Sequence, residues 1–208
     1  PPGALVQLAP RRAPRSRERD AFFALVLPSA QAPATAVFYE RMAQLAADRY
    51  FASAGGVTAG LREVLMSINR DLYQHNQQHP NRPFYADMVC LVLRQRDLYV
   101  ARSDGGLALL WQEGALETCP YDLQDPDLIN GQPLGYGPEP EIKLAHYQGG
   151  PGDLVALGSA SLVEIPVAAL TSAGVRGDVQ ATVERLKRHN LATATALVLQ
   201  LIPPDVPD

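Results

Sequence analysis

The chain predicts an α+β fold: a four-layer αββα sandwich, two antiparallel β-sheets flanked by helices. Three observations lead there. Apolar runs of strand length, separated by turn residues, recur along the 208 residues and come four in succession between 84 and 119. Two helical segments, near 35–51 and 58–72, are apolar on one face only, so each needs a flat surface to cover it. The order is strands, helices, strands, helices and a closing strand, which two stacked sheets with outer helices satisfy.

Each element follows from its local pattern. "ALVQLAP" (4–10) is a short apolar strand, and "AFFALVL" (21–27) is a second, closed by Pro28-Ser29. The basic run between them, "RRAPRSRERD" (11–20), sets five arginines against Glu18 and Asp20 and reads as a solvated loop. In "TAVFYERMAQLAADRYF" (35–51), Phe38, Met42 and Leu45 repeat at helical spacing, with Ala46 and Tyr50 beside them. Thr58 is placed to cap a second helix with the stripe Leu61, Leu65, Ile68 and Leu72. Strands at 84–95, 97–103, 107–113 and 115–119, broken at Arg96-Asp97, Asp104-Gly105-Gly106 and Gly114, read as an antiparallel meander. A polar crossing (120–140), a strand (141–148), the strand of "LVALGSASLVEI" (154–165), helices near 166–173 and 177–190, and a strand (193–202) complete the chain.

Composition bounds the function. Hydrophobic residues make up 47% and charged residues 19%, enough apolar side chains for a substantial core in one domain spanning 1–208, with the core at about 10–202. A net charge of −4 predicts no broad affinity for nucleic acid or acidic membrane. No apolar stretch reaches the roughly 20 residues of a membrane span, and no leader opens the sequence, so the expected location is cytoplasmic. Cys90 and Cys119 are far apart, and Cys90 lies in an apolar run, which suits a buried free thiol. The proline-rich ends, Pro1-Pro2-Gly3 and "PPDVPD", read as linkers of a longer protein.

Several motifs fall short of chemistry. Gly158–Leu162 lacks the final glycine of a nucleophile elbow, so its serines read as turn residues. His75 and His79 lie four apart, but Pro80 follows and no glutamate stands between them, so a solvated helix end is favoured over zinc. Asp153 reads as turn chemistry.

"RSRERDAFF", "LYVARSDGGLALLWQEGALE", "PLGYGPEPEIKLAHYQGGPGDLVALGSASL" and "TATALVLQL" together resemble, in order, the type 2C (PPM) family of metal-dependent Ser/Thr phosphatases, over about residues 10–202. The resemblance implies the αββα sandwich. It also implies an active site in which carboxylates bridge two Mg²⁺ or Mn²⁺ ions that activate a water. The positions matching that site are largely empty. The bridging aspartate falls on Pro28 or Ser29, with Ala30 no better. The hairpin aspartate falls on Gly105, beside Asp104; the third falls on Ala160; the last falls on Ala192 or Asn190. Asp20 stands at the carboxylate of the opening motif, Arg15 where the family has a phosphate-binding arginine, and Arg19 where it has a glutamate.

The expectation is therefore a pseudophosphatase: no enzyme, Mg²⁺ and Mn²⁺ lost, and a protein-interaction or regulatory module inside a larger signalling protein. Its surface would comprise Arg15, Arg19, Asp20, Asp104 and the 158–161 turn, with a phosphorylated segment among the candidate partners. One alternative is a divergent active phosphatase that uses Asp20, Asp104 and Asp87. Another is an unrelated α+β interaction domain.

Overall fold

The computed structural model describes residues 3–29, 32–175 and 178–203. One sheet has the strand order β1-β2-β3-β4-β7: β1 (Ala4–Leu8), β2 (Asp20–Pro28), β3 (Ala86–Arg94), β4 (Asp97–Arg102) and β7 (Lys143–Gln148). The other has the order β6-β5-β8-β9: β5 (Gly106–Gln112), β6 (Ala115–Cys119), β8 (Leu154–Ser159) and β9 (Ala196–Gln200). Every pairing is antiparallel. Helices α1 (Ala36–Ala52) and α2 (Val57–Gln78) cover the first sheet, while α4 (Val167–Gly174) and α5 (Val179–Lys187) cover the second. A short α3 (Pro126–Ile129) lies in the 120–140 crossing. Helix α5 falls inside the predicted 177–190; Gly177, Pro1, Pro2 and residues 204–208 lie outside the described residues.

Strand alternation builds three layers of core. In β2 the even residues Phe22, Ala24 and Val26 face α1 and α2, and the odd residues Leu25 and Leu27 face the second sheet. Between the sheets lie Val89, Leu91, Leu98, Val100, Ala108, Leu110, Val155 and Leu157. On α2, Leu61, Leu65 and Ile68 are fully buried, as the stripe predicts. Truncating any one of them to alanine is worth about 2–5 kcal/mol.

Four local expectations need correction. The buried face of α1 is Tyr39, Ala43, Ala46, Ala47, Tyr50 and Phe51, whereas Phe38, Met42 and Leu45 are only half-buried. The small alanines let the helix approach the sheet, and the larger residues flank the contact. Gly56, not Thr58, stands at the N-cap of α2. The four middle strands are no meander, because β5 leaves β4 and pairs β8 in the opposite sheet. Asp104-Gly105-Gly106 is thus a crossing between sheets rather than a hairpin turn. Finally, the basic run is not wholly solvated, since Arg17 is 0% exposed.

Two asparagines of α2 hold the crossing in place. Asn76 donates from Nδ2 to the Phe84 and Gly135 carbonyls (2.9 and 3.0 Å), and its Oδ1 accepts from the Phe84 N–H (2.8 Å). Asn69 Oδ1 accepts from the Gly135 N–H at 2.8 Å. Gly135 has φ +92°, and a Cβ there would stand 2.8 Å from the Phe84 carbonyl oxygen, so only glycine fits. Asn76→Ala leaves these buried groups unpaired, and a stability loss of about 2 kcal/mol in urea unfolding is the expected outcome.

Candidate functional site

The sandwich gathers the positions flagged by the sequence at one end. There β2 finishes at Pro28, next to the start of β3 (Pro28↔Ala86, Leu27↔Asp87). The β4–β5 crossing brings Asp104 and Gly105 to the same end. A methyl group on Gly105 would lie 3.1 Å from Asp87 Oδ2 and 3.6 Å from the Ala160 side chain. Ala160 opens a 3₁₀ turn (Ala160–Glu164) after β8. Beyond it, Ser161 Oγ and Thr193 Oγ1 lie 3.0 Å apart, and Ser159 Oγ accepts from the Thr195 N–H, which brings the segment carrying Ala192 alongside. Pro28, Ser29, Gly105, Ala160 and Ala192 therefore share one edge. Ala30 lies outside the described residues.

Arg15, Arg19 and Asp20 do not share it. Asp20 begins β2 and pairs Arg94, while Pro28 ends the strand eight residues later, about 26 Å away at strand rise. A joint surface of Arg15, Arg19, Asp20 and Asp104 is thus corrected: the first three sit at the opposite end of the sheet. Asp20 is 3% exposed, and its carboxylate is fully engaged. Arg94 Nε and Nη2 donate to it at 2.6 and 2.8 Å, Tyr50 Oη donates at 2.6 Å, and Arg17 Nη1 stands 3.7 Å away. Burial, then the hydrogen bond to Asp20, raises the Tyr50 hydroxyl above its ordinary pKa. Arg17 also donates to the Ser53 hydroxyl and the Gly56 carbonyl. Asp20 is the hub of a structural network that ties the loop to α1, and its side chain is spent there. Arg15 and Arg19 are exposed nearby.

The edge itself carries a carboxylate pair. Burial first, then the charge of Asp104 and a hydrogen bond to it, pushes Asp87 up to about 8. Asp87 Oδ1 is buried with no hydrogen-bond partner, and Asp104 Oδ1 accepts from the Gly131 N–H at 2.6 Å. Buried Arg102 braces the crossing from below, donating to the Asp104 and Gly106 carbonyls (2.8 Å each) and to that of Leu128. Arg102 was not singled out from the sequence. A lone arginine closing the apolar strand 97–102 is the signal that marks it. Beside the pair, Leu123, Gln124, Ile129, Asn130, Ala160, Ser161, Val163 and Glu164 line a cavity of about 430 Å³.

A bridged pair of divalent ions needs several anionic oxygens around both metals. Pro28, Ser29, Ala160 and Ala192 supply no charge there, and among the described residues no group of three or more His, Cys, Asp or Glu is placed to hold a metal. Asp87 and Asp104 alone do not fit a two-ion centre. The remaining motifs behave structurally. Asp153 Oδ2 accepts from the Gly150 N–H (2.6 Å), and His75 and His79 stack at the end of α2 with ring centroids 4.5 Å apart. Cys90 and Cys119 are free and buried.

The sequence matches no protein-family model and no curated protein. Solved structures do match it. PppA, a key regulatory component of T6SS in Pseudomonas aeruginosa, is 16% identical over 95% of this chain and 90% of its own, with a TM-score of 0.65. Stp1, a serine/threonine phosphatase from Staphylococcus aureus, is 13% identical over 98% and 90%, with a TM-score of 0.69. The catalytic domain of the serine threonine protein phosphatase PstP, in complex with two manganese ions, is 16% identical over 96% and 97%, with a TM-score of 0.66. The expectation that the chain is no enzyme is corrected by these neighbours. Stp1 and PstP are serine/threonine phosphatases, and vacant carboxylate positions on the same scaffold do not establish inactivity. No helix among the described residues is long and apolar enough to cross a membrane. The chain has the fold of the type 2C (PPM) Ser/Thr phosphatases.

Proposed function

We propose that this domain works as a regulatory, protein-binding relative of the type 2C phosphatases, taking a partner segment at the edge that carries Asp87, Asp104 and the 160–164 turn. The observation that carries this reading is the cavity of about 430 Å³ beside the carboxylate pair. Its apolar floor, Leu123, Ile129 and Val163, suits one anchoring side chain; Glu164 lines it, and Asp104, bonded to the Gly131 N–H next to lining residue Asn130, adds a second acid close by. An apolar anchor flanked by lysine or arginine fits that chemistry; a phosphorylated segment would meet like charge.

Peptides selected from a displayed random library on the intact domain test the reading. The expected consensus is an apolar residue beside basic ones. Ser161→Arg, which fills the cavity from a half-exposed position, is expected to weaken the selected peptides at least tenfold while the unfolding midpoint stays put. Binding unchanged by Ser161→Arg rejects the reading.

A catalytic reading is favoured by one observation, the Asp87–Asp104 pair, because strongly shifted carboxylates gather at reactive edges. Steady p-nitrophenyl phosphate hydrolysis with Mn²⁺, lost in Asp104→Ala but kept in Ser161→Arg, would put that reading first.

A further inference from the structure

We propose that the arginine loop joining β1 to β2 is a docking surface for an acidic segment of a partner protein, held by Arg11, Arg12, Arg15 and Arg19. The loop lies at the far end of β2 from the cavity beside the carboxylate pair, so the inference is independent of that site.

The loop is folded, although its composition is that of a solvated run. The Ala9 N–H donates to the Asp20 carbonyl (3.1 Å) and closes the hairpin. The Ala13 N–H donates to the Pro10 carbonyl (2.8 Å) and the Arg17 N–H to that of Pro14 (2.7 Å), which makes two successive tight turns. From the short 3₁₀ turn Arg15–Arg17, Arg17 points inward and donates to the Tyr50 hydroxyl at 2.8 Å, as well as to Ser53 and Gly56. Arg94 of β3 donates to the Ser16 carbonyl at 2.5 Å. The exposed Arg11, Arg12, Arg15 and Arg19 therefore stand on a fixed base. A partner has only their side chains to order, not the loop beneath them.

These four guanidinium groups are unpaired. Among the described residues none of them makes an ion pair or a side-chain hydrogen bond. The neighbouring carboxylates are engaged elsewhere. Asp20 is held by Arg94 and Tyr50, and Asp97, at the adjoining β3–β4 turn, accepts from His146 at 2.8 Å. Within 11–19 the one acid is Glu18, and Arg96 adds a further exposed cation on the adjoining turn. In a chain of net charge −4 the positive charge is thus concentrated at this end of the first sheet.

The chemistry of the patch selects its partner. An arginine fork takes a carboxylate through two parallel N–H···O bonds, so aspartate and glutamate side chains fit it. No aromatic residue stands between Ala9 and Arg19 for bases to stack on, and the chain's net negative charge opposes a phosphate backbone, which disfavours nucleic acid. The apolar residues of 11–19 are Ala13 and Pro14, both half-buried, so the loop offers nothing to enter a lipid surface. The chain's own remainder cannot match the patch. Outside the described residues only Asp205 and Asp208 are acidic, against four arginines in the loop and Arg96 beside it.

The test follows the fluorescence anisotropy of a labelled peptide of alternating glutamate and glycine titrated with the intact domain. Saturable binding at about 0.05 M salt, weakened at least about tenfold at about 0.3 M, is expected. The double change Arg11→Glu and Arg12→Glu should weaken it by a further factor of about ten without moving the unfolding midpoint, because neither side chain touches the Arg17–Asp20 network. Arg82→Glu, a charge reversal at an exposed arginine four residues before β3, should weaken it less than about twofold. Absence of saturable binding, or a loss no larger in the double variant than in Arg82→Glu, overturns the proposal. Tighter capture of a single DNA strand or of phosphatidylserine vesicles than of the peptide overturns it as well. So does peptide binding that appears only after residues 204–208 are deleted, because the arginines would then belong to the chain itself.

Discussion

Asp20→Ala is expected to lower the stability of the domain by about 3–5 kcal/mol. The carboxylate is buried, and three groups converge on it: Arg94 at 2.6 Å, Tyr50 Oη at 2.6 Å and Arg17 at 3.7 Å. Removing it leaves the fully buried Arg17 guanidinium, also stacked 4.2 Å from the Tyr50 ring centroid, without a counter-charge. An uncompensated buried cation is among the most damaging single changes, and a domain of this kind has only about 5–15 kcal/mol in all. Urea unfolding at neutral pH measures the loss. Asp20→Asn keeps hydrogen-bond acceptance and should lose less. Adding Arg17→Met to Asp20→Ala should recover part of the loss, because the orphaned charge goes with it. A loss below about 1 kcal/mol for Asp20→Ala would mean that the network is solvated and the buried-hub reading is mistaken. The same result bears on function: lost activity or binding in an Asp20 variant reports unfolding, since the residue stands at the far end of β2 from Pro28.

That misplacement shows where the sequence is legible and where it is not. The continuous apolar run 21–27 and the stripe Leu61, Leu65, Ile68 and Leu72 are local signals, and the strand and the buried helix face that they predict are found in the structure. Asp20 looks like a site residue because it stands at the carboxylate of the opening motif, ahead of a strand that ends at Pro28-Ser29. A motif match along the chain does not say which end of that strand meets the cleft, and the pairing Asp20↔Arg94 decides it. Arg17 is hidden for a related reason. In a run of five arginines each looks solvated, and only Tyr50, Ser53 and Gly56, 33–39 residues away, make a buried place for one of them. The sheet crossing at Asp104-Gly105-Gly106 is illegible because its composition is that of a hairpin turn. What redirects the chain is the pairing of β5 with β8, about fifty residues on. Asp87 is the instructive intermediate: a lone carboxylate in the apolar strand "ADMVCLVLR" is visible, but its partner Asp104 belongs to the next strand's end.

Asp87→Asn is expected to stabilise the domain in mildly alkaline solution. In the unfolded chain the carboxyl group titrates near pH 4. In the folded domain, burial and the neighbouring Asp104 raise it from 3.8 to about 8. Between those values the folded state holds a proton that the unfolded state has released, so this group's contribution to stability is greatest below about pH 4 and declines as the pH climbs towards 8. At ~1.4 kcal/mol per pH unit the ceiling on that decline is ~6 kcal/mol, and relaxation and water at the half-buried edge reduce it to a third or a half of the ceiling, about 2–3 kcal/mol. Asparagine has no proton to lose. The difference between Asp87→Asn and the parent should therefore be small at pH 4–5 and grow in favour of the variant up to about pH 8, then level off. Taking the difference cancels the histidines and every other group common to both proteins. Urea unfolding at half-unit intervals from pH 5 to 9 measures it, and Asp104→Asn should flatten the same slope because it removes the neighbouring charge. A difference that stays flat across the window would mean that Asp87 is ionised and well solvated at neutral pH. The edge would then offer an ordinary exposed carboxylate, and the pair would lose its standing as the strained feature that the rest of the crossing, from Arg102 to Gly131, is built to hold.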